Sequence, residues 1–354
     1  MMNITSKTLS DNKLHLMASE KVRAKEAFSQ AFSGAGFTFH QPDGLIPSHD
    51  KSTLFTGSTI STFKPYLQQN AGLVLNPMFT VQDCLRTQNN LAMQDVVNYP
   101  KWSSLFSSVG AIGRYQDRYL IVQALRDFIS NLELNTPARL RINIASLDHD
   151  IIDMLEAGGM ADYLHFDSQQ PAYYCHKFGM DGITGRNCNL AVSSDGETFM
   201  DIGNLIVIES AQAPLGVEAA FGLETIVTRM HGLCSSILAL SAATCFSIHS
   251  AENLYIIDAL VACVAIMSFD IQPIANNRGR VLRRYLQGLN QLRLKNSISI
   301  EFIADAARHF ELTHYKTQHI YKRIEQYLQQ HTLLVVQDLT LSNINMRLSH
   351  SLYK

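Results

Sequence analysis

The sequence predicts an α+β fold followed by a domain made of helices alone, and three observations carry that expectation. Up to Ala242, stretches of strand-like alternation are mixed with stretches of helical spacing. Beyond Ala242 the pattern is almost entirely helical. The 354 residues are 46% hydrophobic and 17% charged, which is enough apolar material for a sizeable core and unlike a disordered chain.

The elements follow in chain order. Residues 1–15 are polar and are expected to be loose. From Leu16 to Phe32, Ala24, Ala27, Phe28, Ala31 and Phe32 recur at helical spacing, and Gly34 and Gly36 end the helix. Pro42, Asp43, Gly44 and Pro47 mark turns. Leu73–Phe79 is short and apolar, as in an extended segment bent at Pro77. Leu105–Ile112 reads as a strand. Asp117–Leu134 is an amphipathic helix with Leu120, Ile121, Leu125, Phe128, Ile129 and Leu132 on one face. Arg139–Ala145 alternates strictly, as a half-buried strand does, and Asp148–Ala157 is a helix stopped by Gly158 and Gly159. Leu205–Glu209 is a strand and Phe221–Met230 a helix. Helices are then expected at Asn253–Phe269, Arg278–Leu294, Ile300–Phe310 and Lys316–Gln330. The resulting division is a flexible N-terminus (1–15), an α+β domain (16–242) and a helical domain (243–354), with the boundary near 235–250.

Charge and cysteine usage narrow the function classes. The formal net charge is −2, so no global basic field attracts nucleic acid, and any such binding needs a local patch. The six cysteines form no CxxC pair and, with the histidines, no zinc spacing; they read as reduced and mostly buried thiols. The N-terminus has no apolar signal region. Ile256–Ile271 carries Asp258, Ser268 and Asp270 and reads as a buried helix rather than a bilayer span. A cytoplasmic protein without a membrane partner is expected.

Collinear blocks then bear a resemblance. Leu54-Phe55-Thr56 and Phe63-Lys64 are similar to the Leu-Phe-Thr and Phe-Lys of alanyl-tRNA synthetases. Gln82-Asp83-Cys84-Leu85-Arg86 resembles their Gln-Lys/Arg-Cys-Val-Arg, and Leu105, Phe106, Val109 and Gly110 resemble the strand that returns from it. Asp201–Glu209 resembles Glu-Ile-Trp-Asn-Leu-Val-Phe-Met-Gln, and Val217–Ile226 resembles Val-Asp-Thr-Gly-Met-Gly-Leu-Glu-Arg-Ile. Asn277–Arg284 is similar to the family's Gly-Arg-Gly-Tyr-Val-Leu-Arg-Arg. The likeness runs over about residues 20–295.

The resemblance implies a class II synthetase sheet, mostly antiparallel and flanked by helices, followed by tRNA-recognition helices. It implies ATP, with Mg2+, as co-substrate, a small amino acid as substrate, and tRNA or another acceptor. Arg86 matches the arginine that contacts the α-phosphate; a surface salt-bridge arginine is the plainer reading. Phe106, Gly222 and Thr225 complete the implied ATP site, but Thr225 stands where the family has an arginine on the γ-phosphate. Arg229, one turn on, is either a partial substitute or a solvated helix residue. Asn204 and Glu218 match the residues that hold the alanine amine, Glu218 being one methylene longer than the family's aspartate; it could instead be a carboxylate at a helix N-terminus. Leu164 and Gly203 stand where two tryptophans wall that pocket. Phe166–Lys177 replaces a glycine-rich segment, Ser107 replaces a glutamate, and Trp102 and Ser103 replace a histidine pair. The basic run Arg278, Arg280, Arg283 and Arg284, continued by Arg293 and Lys295, is either a tRNA contact or a solvated face. The sequence ends short of the region where the family carries a zinc-bound editing site, so no metal is expected in the protein. Two functions remain open: ATP-dependent activation of an amino acid and its transfer to tRNA or a stand-in acceptor, outside housekeeping translation, or a degenerate relative that binds tRNA, nucleotide or a partner.

Overall fold

A computed structural model describes residues 11–48, 53–69 and 76–332. The expectations for residues 1–10 and for part of Leu73–Phe79 lie outside the described residues, as does the end of the expected helical domain. In chain order the elements are α1 (Asp11–Gly34), β1 (Thr38–Phe39), α2 (Ile60–Gln69), β2 (Met78–Leu85), α3 (Asn89–Ala92), β3 (Leu105–Arg114), α4 (Arg118–Asn131), β4 (Leu140–Ile144), α5 (His149–Ala157), β5 (Leu164–Phe166), β6 (Cys175–Lys177), β7 (Ile183–Ser193), β8 (Phe199–Ser210), β9 (Pro214–Gly222), α6 (Leu223–Met230), α7 (Ala251–Met267), α8 (Asn277–Lys295) and α9 (Ile300–His314). A further helix covers 320–332.

The chain divides into two compact units. Among the described residues, one comprises those within 11–86 and 101–240, and the other comprises 87–100 and 241–332. In the first unit the strands form one sheet in the order β1-β2-β3-β9-β8-β7-β4-β5, with β6 against β7. Only the β1–β2 and β4–β5 pairs are parallel; the rest are antiparallel. The expected α+β architecture is therefore present.

Strand parity sorts the residues onto two faces. Phe79, Val109, Ala219, Phe221, Leu205, Cys188, Leu190 and Ile142 face the main core, where they meet Ala24, Phe28 and Phe32 of α1 and Ile121, Leu125 and Phe128 of α4. Phe28 stacks on Phe32 at 4.4 Å and meets Phe128 and Phe221 edge-on. Burying each such ring stabilises the fold by about 2–3 kcal/mol. The other face is covered at one end by a smaller cluster of Ile60, Phe63, Leu67, Met78, Ile112, Phe178, Met180, Ile206 and Ile208.

Helix α1 starts earlier than expected, at Asp11, so residues 11–15 are helical rather than loose. It ends where expected, because the Gly36 and Phe37 amides return to the Ser33 and Phe32 carbonyls with Gly36 at φ +85°. Phe221 belongs to β9, and the helix expected from it begins only at Leu223. In the second unit, α7 is buried nearly all round and starts at a Ser250/Asn253 capping box. No described helix is long and apolar enough to cross a membrane. Cys84, Cys188 and Cys263 are buried, Cys234 and Cys245 are half-buried, and Cys175 is exposed; none of the six is in a disulfide.

Candidate active site

The four residues marked by the sequence for a nucleotide meet at one end of the sheet. Arg86 follows β2, and its backbone amide donates to the Ser104 carbonyl at 2.9 Å. Its Nε donates to the Gly57 carbonyl at 2.9 Å, and its guanidinium carbon lies 5.1 Å from the centre of the Phe106 ring. Arg86 is nevertheless exposed. Gly222 ends β9 opposite Ser108, so it shares a face with Phe106. A Cβ added at Gly222 would lie 3.2 Å from Thr225 Oγ1 and 3.7 Å from the Phe106 ring. Arg86, Phe106, Gly222 and Thr225 thus form one row, in which a held guanidinium overlies an aromatic face that Gly222 leaves unshielded.

Beside this row, Glu224 is 1% exposed. It accepts from the Ser107 amide at 2.9 Å and from Lys21 Nζ at 3.1 Å, which ties α6 to β3 and α1. The Ser107 hydroxyl donates to Asp83 at 3.1 Å. Arg229 fits neither sequence reading. It is 5% exposed rather than solvated, donates to the Leu233 carbonyl, and lies over the Trp102 ring at 5.3 Å. Burial lowers its pKa, against the pull of Cys234 and Asp201.

Further across the same face the side chains become polar. Asn204 pairs with Asn189 in register, and its Nδ2 donates to Asn189 Oδ1 at 2.5 Å. Asn187 Nδ2 donates to the same oxygen at 2.6 Å, and Asn187 Oδ1 meets His176 Nδ1 at 2.9 Å. Asn189 Nδ2 reaches Asp201 Oδ2 at 3.4 Å. Nearby, the Tyr174 hydroxyl donates to Asp167 Oδ2 at 2.5 Å. The segment Phe166–Lys177 therefore supplies Asp167, Tyr174 and His176 to this region, while Tyr173 is exposed. The sequence signal that was missed is the pair Asn187 and Asn189 in Arg-Asn-Cys-Asn, two residues apart and so on one face of β7.

Three sequence-marked pocket residues stand elsewhere. Glu218 lies within β9, not at a helix N-terminus, with Ile112 and Ile206 as its ladder neighbours. It is 2% exposed and accepts from Thr59 Oγ1 at 3.1 Å. Burial pushes its carboxyl up to about 7, and the Thr59 hydrogen bond opposes that only in part. Gly203 faces the main core, where an added Cβ would lie 2.2 Å from the Phe221 ring and 2.4 Å from the Ala220 carbonyl. Leu164 pairs with Ile142 and packs against that same core. Gly203 and Leu164 are one residue off the site face, so neither is a pocket wall; His165, opposite Asn143, takes the site-face parity instead.

In the helical unit, Arg280 is exposed and Arg278, Arg283 and Arg284 are half-buried along α8. Arg293 departs from the expected basic face: it is 4% exposed and donates to Asn290, Ile298 and Thr332. Among the described residues, no group of three or more His, Cys, Asp or Glu could hold a metal ion.

No family model matches the chain. It is similar to the "Alanine--tRNA ligase" of Buchnera aphidicola subsp. Baizongia pistaciae, at 26% identity over 74% of this chain and 35% of that protein. It is similar to the protein of the same name from Pseudomonas savastanoi pv. phaseolicola, at 24% identity over 81% of this chain and 38% of that protein. The chain thus spans about a third of the length of the curated relatives it matches. Among solved structures it is similar to a putative aspartyl-tRNA synthetase from Leishmania major Friedlin, with a TM-score of 0.39 and 12% identity over 66% of this chain and 65% of that one. It is also similar to asparaginyl-tRNA synthetase from Pyrococcus horikoshii complexed with asparaginyl-adenylate, with a TM-score of 0.40 and 9% identity over 64% of this chain and 68% of that one. The chain is distantly similar to the alanyl-tRNA ligases, matched over part of their length.

Proposed function

We propose that this protein activates a small amino acid with ATP, forming an aminoacyl adenylate, and passes the acyl group to tRNA or another acceptor outside housekeeping translation. The observation that supports this most is the row Arg86, Phe106, Gly222 and Thr225, drawn from three separate stretches of the sequence and adjacent at one sheet end. Arg86 neutralises charge on the α-phosphate as the substrate carboxylate attacks and pyrophosphate leaves. Its hydrogen bond to Gly57 and its seat over Phe106 fix the guanidinium before the ligand arrives, so little side-chain entropy is lost on binding. The residues fit a triphosphate in part. Thr225 contributes one hydrogen bond but no charge at the far phosphate, and Arg229 is committed to Leu233 and Trp102. A rate on the order of a hundredfold below that of a site with a second arginine follows.

Mg2+ would bind largely through the nucleotide's own oxygens. Glu224 already has Lys21 and Ser107 as partners, so it adds little to such a site. Asn204 takes the substrate's amine. The exposed Arg280 and the half-buried Arg278, Arg283 and Arg284 of α8 take acceptor phosphates.

Amino-acid-dependent exchange of pyrophosphate into ATP, run with each of the twenty amino acids at high enzyme concentration, tests the proposal. Exchange with one or a few supports it; exchange with none overturns it. The second reading, a tRNA-binding protein without adenylate chemistry, is favoured by the uncharged Thr225. It predicts a low-salt gel shift with tRNA in the absence of any exchange.

A further inference from the structure

The carboxylate that the sequence offers beside Asn204 is sealed. Glu218 is 2% exposed, held by Thr59 Oγ1, and flanked on the sheet by Ile112 and Ile206. Thr59 in turn sits over Gly110, where an added Cβ would lie 2.3 Å from its hydroxyl. A ligand ammonium would reach Glu218 only by displacing Thr59 and entering apolar surroundings.

Asp201 stands differently. In a regular strand, residues three apart point to opposite faces, so Asp201 and Asn204 would be separated by the sheet. The register between β7 and β8 shifts here: Leu190 opposes Gly203, but Ala191 opposes Asp201, and Ile202 is the extra residue. This bulge turns Asp201 back to the face of Asn204. Ile202 and Gly203 both remain on the core side.

The Asn189 side chain shows the result directly. It accepts from Asn204 Nδ2 at 2.5 Å and donates to Asp201 Oδ2 at 3.4 Å. Because the Asn204 amide nitrogen is directed to Asn189, the Asn204 oxygen is the end left to accept from a ligand. A carboxylate and a carbonyl oxygen are thus held one amide apart, and Asp201 is exposed while Asn204 is half-buried.

We propose that Asp201, rather than Glu218, is the carboxylate that holds the substrate's α-ammonium, sharing it with Asn204 Oδ1 across the Asn189 spacer. The inference rests on the proposed amino-acid activation and names the residue that selects an amine-bearing substrate. An ammonium has a positive charge and three donors, of which Asp201 and Asn204 Oδ1 accept two; a substrate with its amine removed leaves the Asp201 charge unbalanced and Asn204 Oδ1 without a donor.

The test compares wild type, Asp201→Asn and Glu218→Gln by pyrophosphate exchange and by ligand-observed NMR with the twenty amino acids. For the amino acid that responds, its desamino counterpart is also measured. Asp201→Asn is expected to raise KM for the amino acid at least about tenfold, with a smaller change in kcat, and to weaken NMR-detected binding in parallel. Glu218→Gln is expected to leave both within about twofold, and the desamino compound is expected not to bind. The reverse ranking of the two variants, or an unchanged KM in Asp201→Asn, overturns the inference. If wild type binds an amino acid without exchange and only Asp201→Asn weakens that binding, activation fails and the Asp201 assignment stands. If wild type binds none of the twenty, both fall.

Discussion

Glu218 shows how burial decides the state of a single side chain. Its carboxyl is raised from 4.5 to about 7, with desolvation the leading cause. The folded protein therefore holds this proton more tightly than the unfolded chain. The associated stability is complete below pH 4.5 and is lost as pH rises through about 7. The full span is roughly 3 kcal/mol. Glu218→Gln has no proton to lose, so wild type should lose stability relative to the variant between pH 5 and pH 8. Thermal melts of both proteins at those two values read the difference, and parallel behaviour would show that Glu218 is not buried in this way. The resemblance marks Glu218 as a carboxylate of the amine pocket. It could not show that Thr59, far away in the chain, closes over it, because only the fold brings Thr59 and Gly110 together.

Among the elements, β8 decides which residues belong to the site. Its period of two places Asn204 on the polar face and Gly203 under Phe221. Gly203→Ala would drive a methyl into the Ala220 carbonyl and the Phe221 ring, at 2.4 Å and 2.2 Å. Because backbone must move, a loss of about 1–3 kcal/mol is expected in urea unfolding, and a neutral result would contradict the parity assigned to β8. The elements with strong single patterns are legible: α4, β3, β4, α5 and α7 lie close to where their spacing puts them, and α1 ends where expected but starts earlier. Strand β7 was not, because Asn187 is 2% exposed and Asn189 8%, and two buried amides interrupt both the alternating and the continuous apolar pattern. Nor was the bulge at Ile202, which has no local signature in Asp-Ile-Gly-Asn. Leu164 and Gly203 stand where the resemblance implies two pocket walls, and strand parity turns both to the core.

Over the whole molecule the two compact units separate the implied roles. The sheet unit carries the row at Arg86 and the polar face around Asn204. The helical unit carries the basic residues of α8, and it also includes Thr87–Pro100, where Asn89 Nδ2 donates to the buried Asp258 at 2.9 Å. No local pattern marks that segment as part of a helical body. On the proposed function, amino-acid activation and tRNA binding fall in different units and should be separable by mutation. Reversing the charge at Arg280 and Arg284 should weaken tRNA binding about tenfold or more. It should also reduce the salt dependence of binding by about one phosphate per residue. Gel shifts at several salt concentrations measure both, and pyrophosphate exchange should be unaffected. Equal loss of exchange would show that the two functions are not divided in this way.

Whether a held Arg86 over Phe106 carries adenylate chemistry is decided by measuring exchange in wild type and Arg86→Ala side by side. Arg86 is exposed, so its loss should leave the melting temperature nearly unchanged. Amino-acid-dependent exchange is expected in wild type, with a fall of about a hundredfold or more in the variant. Exchange that survives intact in Arg86→Ala would contradict it.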